Sequence, residues 1–130
     1  MVNESGIAAM IFVLSASSAL AQDMAAGETT FRRCQPCHAI GAGAGAGNKI
    51  GPQLNGIEGR KCGTAGGYSY SEANRNCGFS WNEATFLDYI KDPKAKIPGT
   101  KKSFAGLKES RDASNLWAYL RQFGPDGQLK

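Results

Sequence analysis

The chain has 130 residues, with fifteen Lys and Arg against eleven Asp and Glu and a single His, for a net charge of +4. That length accommodates one domain with its own core and excludes two. A basic balance admits nucleic acid, anionic lipid or an acidic protein as partner, and charge alone does not choose among them.

Residues 1–21 read as an export signal. An apolar stretch over 7–14 is followed by small residues ending Ala19-Leu20-Ala21, the pattern a signal peptidase cuts. The segment before that stretch departs from the usual signal, since it carries Glu4 and no Lys or Arg; a loose or buried N-terminal helix is the alternative. The run is far short of the ~20 apolar residues that span a bilayer. Removing it leaves fifteen bases against ten acids, a net charge of +5 on a mature domain over 22–130. The expectation is an exported, periplasmic protein without membrane insertion, which makes nucleic acid the weakest of the three partner classes.

Asp23 can cap a first helix running through Ala25, Ala26 and Phe31, because its carboxylate can accept from the free amides of the first turn. Gly27, one turn before Phe31, lets that face approach another helix closely. Next comes Cys34-Gln35-Pro36-Cys37-His38. Two thiols about one helical turn apart can each add to a haem vinyl group while the following imidazole turns to the iron. Two other readings of the motif stay open on these five residues. A redox Cys-x-x-Cys expects a βαβ context that is not seen. A zinc site would have to recruit Cys62 and Cys77 at irregular spacing.

The alternating Gly and Ala over 41–47 read as a flexible loop. Between 48 and 79 glycine is frequent and apolar periodicity weak, so looping backbone is expected, with at most one short helix near 71–75 and a cofactor supplying part of the core. Ser80-Trp81-Asn82-Glu83 has the form of a capping box and predicts a helix over 81–91 with Phe86, Leu87 and Ile90 on its apolar side, ended before Pro93. A last helix begins near Ser110, carries Leu116, Trp117, Tyr119, Leu120 and Phe123 as a broad apolar stripe, and stops at Gly124-Pro125. No run of alternating strand residues is present, so the predicted class is all-α.

From 27 to about 122 the chain resembles a class I c-type cytochrome, and within these the bacterial cytochrome c-two group of small electron carriers. The matching runs are the Cys-x-x-Cys-His motif, Gly51-Pro52-Gln53-Leu54-Asn55-Gly56, Gly59-Arg60-Lys61, Tyr68-Ser69-Tyr70-Ser71, Ala73-Asn74, Trp81, Tyr89, Ile97-Pro98-Gly99-Thr100-Lys101, Phe104-Ala105-Gly106 and Leu116-Trp117-Ala118-Tyr119-Leu120. The resemblance implies a small fold of helices and loops wrapped around one covalent haem c. Cys34 and Cys37 would be thioether anchors and His38 the proximal ligand. Pro52 would offer its carbonyl to the other His38 nitrogen, which fixes the ring. Arg60, Tyr70 and Trp81 would surround a haem propionate, with an exposed cation and two core aromatics as the bland alternative. Gly27 and Phe31 would meet Leu116 and Tyr119.

The largest departure is at position 102, where the family places its distal methionine and this chain has Lys102; no methionine follows Met24. Met24 lies on the sequence side that supplies the proximal ligand. An amine is harder than a thioether, favours oxidised iron and lowers the potential. It ligates only when neutral, and at pH 7 deprotonating a lysine of reference pKa ~10.4 costs about 4.6 kcal/mol. Lys102, the adjacent Lys101, and water, hydroxide or an empty position are the readings for the sixth site. An engineered or inactivating replacement in an ordinary carrier is a further one.

Tyr89 matches a tyrosine near the distal ligand, and Asn74 one of a buried water network; a surface tyrosine and a solvated loop asparagine are the alternatives. Cys62 and Cys77 remain as an even pair in an oxidising compartment and are a disulfide candidate. Arg33, Lys49, Lys94, Lys101 and Lys108 match positions ringing the exposed haem edge, which would steer the acidic faces of redox partners such as a membrane oxidoreductase, an oxidase or a reaction centre. The leading expectation is therefore a monomeric one-electron carrier of a respiratory or photosynthetic chain and not an enzyme. The alternative is a haem protein with an open or labile sixth site, acting as a weak peroxidase or gas binder.

Overall fold

The computed structural model describes residues 10–12, 22–43 and 47–130. The export signal expected over 1–21 falls almost wholly outside the described residues, and so does the middle of the 41–47 loop. The described chain is helical, with five helices in the order α1 (Met24–Phe31), α2 (Glu72–Arg75), α3 (Glu83–Lys91), α4 (Pro93–Lys96) and α5 (Ser110–Arg121). Among the described residues the only β pairings are the isolated bridges Lys61 to Ser80 and Phe123 to Leu129. None of these helices is long and apolar enough to cross a membrane.

Helix α1 starts as expected, with the Asp23 carboxylate accepting from the Ala26 amide at 3.0 Å. Its buried residues are Gly27 and Phe31, and they pack against α5. A Cβ on Gly27 would overlap the Asn115 carbonyl and come within 2.9 Å of the Tyr119 Cβ, so only glycine permits this crossing. Beside it the Phe31 and Tyr119 rings lie 5.5 Å apart. The apolar stripe of α5 supplies Leu116, Trp117 and Leu120, which are at most 2% exposed. Trp117 meets Phe86 of α3 with 5.1 Å between ring centroids, so α5 joins the start of the chain to its middle.

Two features around α3 correct the sequence reading. The capping box is formed by Asn82 and Thr85, two residues beyond the Ser80 and Glu83 pair, and the helix begins at Glu83. Ser80 and Trp81 instead remain extended: Trp81 donates its amide to the Arg60 carbonyl at 2.9 Å and accepts from the Gly59 amide at 2.8 Å. Pro93 does end α3, but Asp92 then accepts from the Ala95 amide at 3.2 Å and opens the further turn α4 with proline at its first position, where the missing N–H costs nothing.

Cys62 and Cys77 are joined in the structure, with Cα atoms 6.3 Å apart. They close the glycine-rich loop that contains α2, the short helix expected near 71–75, and Ser71 caps it. At the C-terminus the chain folds back as a hook: the Phe123 carbonyl accepts from the Gly56 amide at 3.2 Å, and Gly127 lies so close to the Gly41 carbonyl that a Cβ there would overlap it. The hook thereby fastens both ends of the 41–56 segment, which carries Pro52.

Candidate functional site

Between the turn after α1, the looping middle of the chain and the segment before α5 lies a cavity of about 650 Å³. That size falls within the range of small-molecule and cofactor sites. One wall is made by Cys34, Cys37 and His38, which follow α1 in a helical turn because the Cys37 and His38 amides donate to the Cys34 carbonyl at 3.0 and 2.9 Å. Both cysteines are free and half-buried. Burial pushes the Cys34 thiol up, against the lowering effect of Lys102 and Arg33, which keeps it protonated at neutral pH.

His38 is held in one orientation. Its Nδ1 lies 2.7 Å from the Pro52 carbonyl, which can only accept, so Nδ1 carries the proton and Nε2 has its lone pair free. Burial, and then the positive charge of Lys102, lower the imidazole pKa to about 4, so the ring is neutral at physiological pH. Gly51 makes room for it, since a Cβ there would overlap the ring. The Gly51 amide also donates to the Cys37 carbonyl at 2.7 Å, tying the Pro52 segment to the cysteine turn.

Lys102 reaches His38 inside the cavity, with its Nζ in hydrogen-bonding contact with Nε2 at 3.1 Å. Burial lowers the pKa of this amine from its usual 10.5. The Tyr89 ring lies beside it, with its centroid 5.8 Å from Nζ, and Tyr89 is buried with its hydroxyl pKa pushed up by that burial. Trp81 stands edge-on to Tyr89 at 4.9 Å, a contact that its extended backbone makes accessible.

Arg60, Tyr70 and Trp81 all reach the cavity wall. The Arg60 guanidinium donates to the Gln53 and Asn55 carbonyls at 3.1 Å, and the Tyr70 hydroxyl accepts from the Ala65 amide at 2.9 Å. Asn74 does not stand alone: its side-chain oxygen accepts from Thr100 at 2.6 Å and from Ser71 at 2.8 Å.

The five expected docking cations divide. Arg33 and Lys101 are on the cavity wall, Lys49 is beside the lining residue Ile50, and Lys108 donates to the carbonyl of Ala105, another lining residue, at 3.2 Å. Lys94 is exposed on α4 and is not among the lining residues. The sequence reading did not single out Gly51, Thr100 or Phe104 for a role of its own. Phe104 lies 5.9 Å below the Arg33 guanidinium at the cavity mouth. A glycine immediately before the proline expected to hold the histidine was the available signal for Gly51.

These residues fit a covalent haem. Two thiols one turn apart, a neutral imidazole with its free nitrogen aimed inward, an enclosed amine opposite and aromatic walls meet its chemical requirements. The zinc alternative has no comparable support: among the described residues no group of three or more His, Cys, Asp and Glu side chains is placed to hold a metal ion. Fold and cavity together define a small helical haem carrier.

No protein-family model matches the chain. It is 59% identical to a cytochrome c2 of Rhodoplanes tepidamans over 109 residues, 84% of this chain and all of that one. It is 60% identical to cytochrome c-550 of Bradyrhizobium diazoefficiens over 106 residues, 82% of this chain and 76% of that one. Among solved structures it resembles cytochrome cH from Methylobacterium extorquens with a TM-score of 0.69 and 38% identity, over 75% of this chain and 96% of that one. The chain belongs to the class I c-type cytochromes, in the cytochrome c2 group. It carries one covalently bound haem c and serves as a one-electron carrier in a respiratory or photosynthetic chain.

Proposed function

We propose that Cys34 and Cys37 hold the haem through thioether bonds, that His38 is its proximal ligand and that Lys102 takes the distal position. The observation that carries this reading is the approach of the Lys102 amine to the free Nε2 of His38 while Pro52 holds Nδ1. Bound haem supplies a ferric–ferrous couple; the chain's own residues fix the imidazole, exclude water and lower the amine's proton affinity. Burial contributes part of the deprotonation free energy that Lys102 needs, and a bond to the haem iron would have to supply the rest. Arg60, Tyr70 and Trp81 line the cavity and form the propionate environment, with Tyr89 beside the distal amine.

Optical and magnetic spectroscopy of the ferric protein, compared with Lys102→Ala across pH, tests the ligand. A distal-nitrogen signature present in the parent and lost in the variant is expected; identical spectra would refute Lys102. Rapid carbon monoxide binding by the reduced parent near neutral pH would instead favour the open-site reading of a weak peroxidase or gas binder.

The protein acts in the periplasm after loss of residues 1–21. The Rhodoplanes relative spans 109 residues of this chain over its own full length, the number left by that cleavage. The mass of the protein purified from cells checks the processing. The same measurement under non-reducing conditions checks the Cys62–Cys77 bridge, because two free thiols beyond the haem-bound pair would remove it. Arg33 and Lys101 on the cavity wall, with Lys49 and Lys108 next to lining residues, dock the acidic faces of a membrane oxidoreductase, an oxidase or a reaction centre, and the exposed Lys94 on α4 extends the same positive surface.

A further inference from the structure

Residues 99–102 carry the distal position, and while the Lys102 amine meets His38 and Tyr89, the contacts of Gly99, Thr100 and Lys101 with other segments converge on one loop. Thr100 donates to Asn74 at 2.6 Å. Lys101 donates its amine to the Ser69 carbonyl and lies over the Tyr68 ring at 4.7 Å. A Cβ on Gly99 would come to 3.4 Å from the Ala73 Cβ, so the backbones run close there as well. Tyr68, Ser69, Ala73 and Asn74 all lie between Cys62 and Cys77, the two residues whose joined sulfurs close that loop. The loop is firmly seated. Cys62 is 1% exposed, its amide donates to the Phe79 carbonyl at 3.0 Å, and Gly63 packs against the Asn74 carbonyl closely enough that a Cβ would overlap it.

Lys101 and Lys102 have the same chemistry and adjacent places on the cavity wall, yet their amines are held by different partners. Lys101 is exposed, with its amine on the Ser69 carbonyl and over the Tyr68 ring, whereas Lys102 is half-buried with its amine on His38. The Lys102 amide donates to the Thr100 hydroxyl at 3.2 Å, and that hydroxyl is the group bonded to Asn74. The register of the distal segment is thus referred, residue by residue, to the bridged loop.

We propose that the loop closed by Cys62 and Cys77 is the positioning element that holds Lys101 on Ser69 and Tyr68 and leaves Lys102 to His38, and so selects which of two neighbouring lysines occupies the distal site; the choice of Lys102 as ligand rests on the reading above. Opening the loop lets Ser69 and Asn74 move away from their partners. The distal segment then samples both registers.

The test uses the ferric holoprotein with the double substitution Cys62→Ala and Cys77→Ala. Binding of added imidazole, followed in the Soret band, should be faster than in the parent by between about tenfold and about a hundredfold, the upper figure being roughly the full weight of closing a 15-residue loop. A second amine-ligated species should appear in magnetic spectra and vanish when Lys101→Ala is added. Thr100→Val should speed imidazole binding in the same direction, and Thr100→Ser should restore the parent rate. A single species with an imidazole rate within twofold of the parent would overturn the proposal.

If the double variant does not fold, the two Thr100 variants decide alone. If Lys102→Ala leaves the parent spectrum unaltered, the ligand reading fails, and hydrogen exchange at the Thr100 and Lys102 amides judges the loop instead. Exchange accelerated at least tenfold in the double variant supports it as the register-setting element, and unchanged exchange sinks it.

Discussion

Replacing Gly51 with alanine tests whether His38 is held as tightly as its surroundings indicate. A Cβ at that position would lie 2.8 Å from both His38 nitrogens and overlap the carbon between them, closer than real Cβ contacts come. The backbone itself does not forbid alanine, since Gly51 has no positive φ, so the whole cost is steric. The ring has to shift, and with it the 2.7 Å bond from Nδ1 to Pro52. Overpacking of this kind costs about 1–3 kcal/mol and a strained hydrogen bond about 1 more. For a domain of this size the loss of about 2–4 kcal/mol lowers Tm by roughly 10–20 °C.

Thermal unfolding of the ferric holoprotein, followed by circular dichroism and by the Soret band, measures that loss. Gly66→Ala is the control, because nothing lies within 4 Å of its would-be Cβ; it should be neutral or raise Tm slightly through reduced freedom of the unfolded chain. A Gly51→Ala protein melting within 2 °C of the parent, with an unaltered Soret band, would show that His38 is not confined as argued.

Gly27→Ala should also destabilise, by about 1–2 kcal/mol in urea titration, because the overlap with Asn115 outweighs the ~1 kcal/mol that alanine gains in a helix; an increase in stability would refute the close α1–α5 crossing. Lys102 introduces a pH dependence. Its folded pKa is lowered, so the unfolded chain binds more protons between that lowered value and 10.5, and stability should rise with pH through this window. Lys102→Met should remove that slope, and parallel stability profiles for the two proteins would contradict it. Arg33→Glu and Lys49→Glu together should slow electron transfer to an acidic redox partner and flatten its ionic-strength dependence; rates that match the parent's at every salt concentration would count against docking at the cavity mouth.

Much of the framework could be read from local pattern. Asp23 announces α1, the stripe from Leu116 to Leu120 announces α5, and Cys34, Cys37 and His38 lie on one turn because their spacing allows little else. What escaped notice depends on partners far along the chain. Ser80 and Glu83 satisfy the form of a capping box, but the pairing of Ser80 with Lys61 keeps that stretch extended and leaves Asn82 and Thr85 to start the helix. That shift is also what frees Trp81 to stand against Tyr89. Asp92-Pro93 reads as a stop from one side and as a start from the other, and the structure uses both senses. The Asn74 side chain is also joined to the Thr100 hydroxyl, a partner 26 residues away that no local pattern indicates.

The joining of α1 to α5 also imposes an order on assembly. The two helices lie at opposite ends of the domain's sequence, so the contact at Gly27 forms only once nearly the whole chain is available, and contacts of such long range are slow to close. Cys34 and Cys37 follow α1 directly, and until α5 arrives the wall they belong to has no backing. The turn that carries both cysteines is therefore made early in synthesis and seated late in folding, which leaves an interval in which both thiols are accessible.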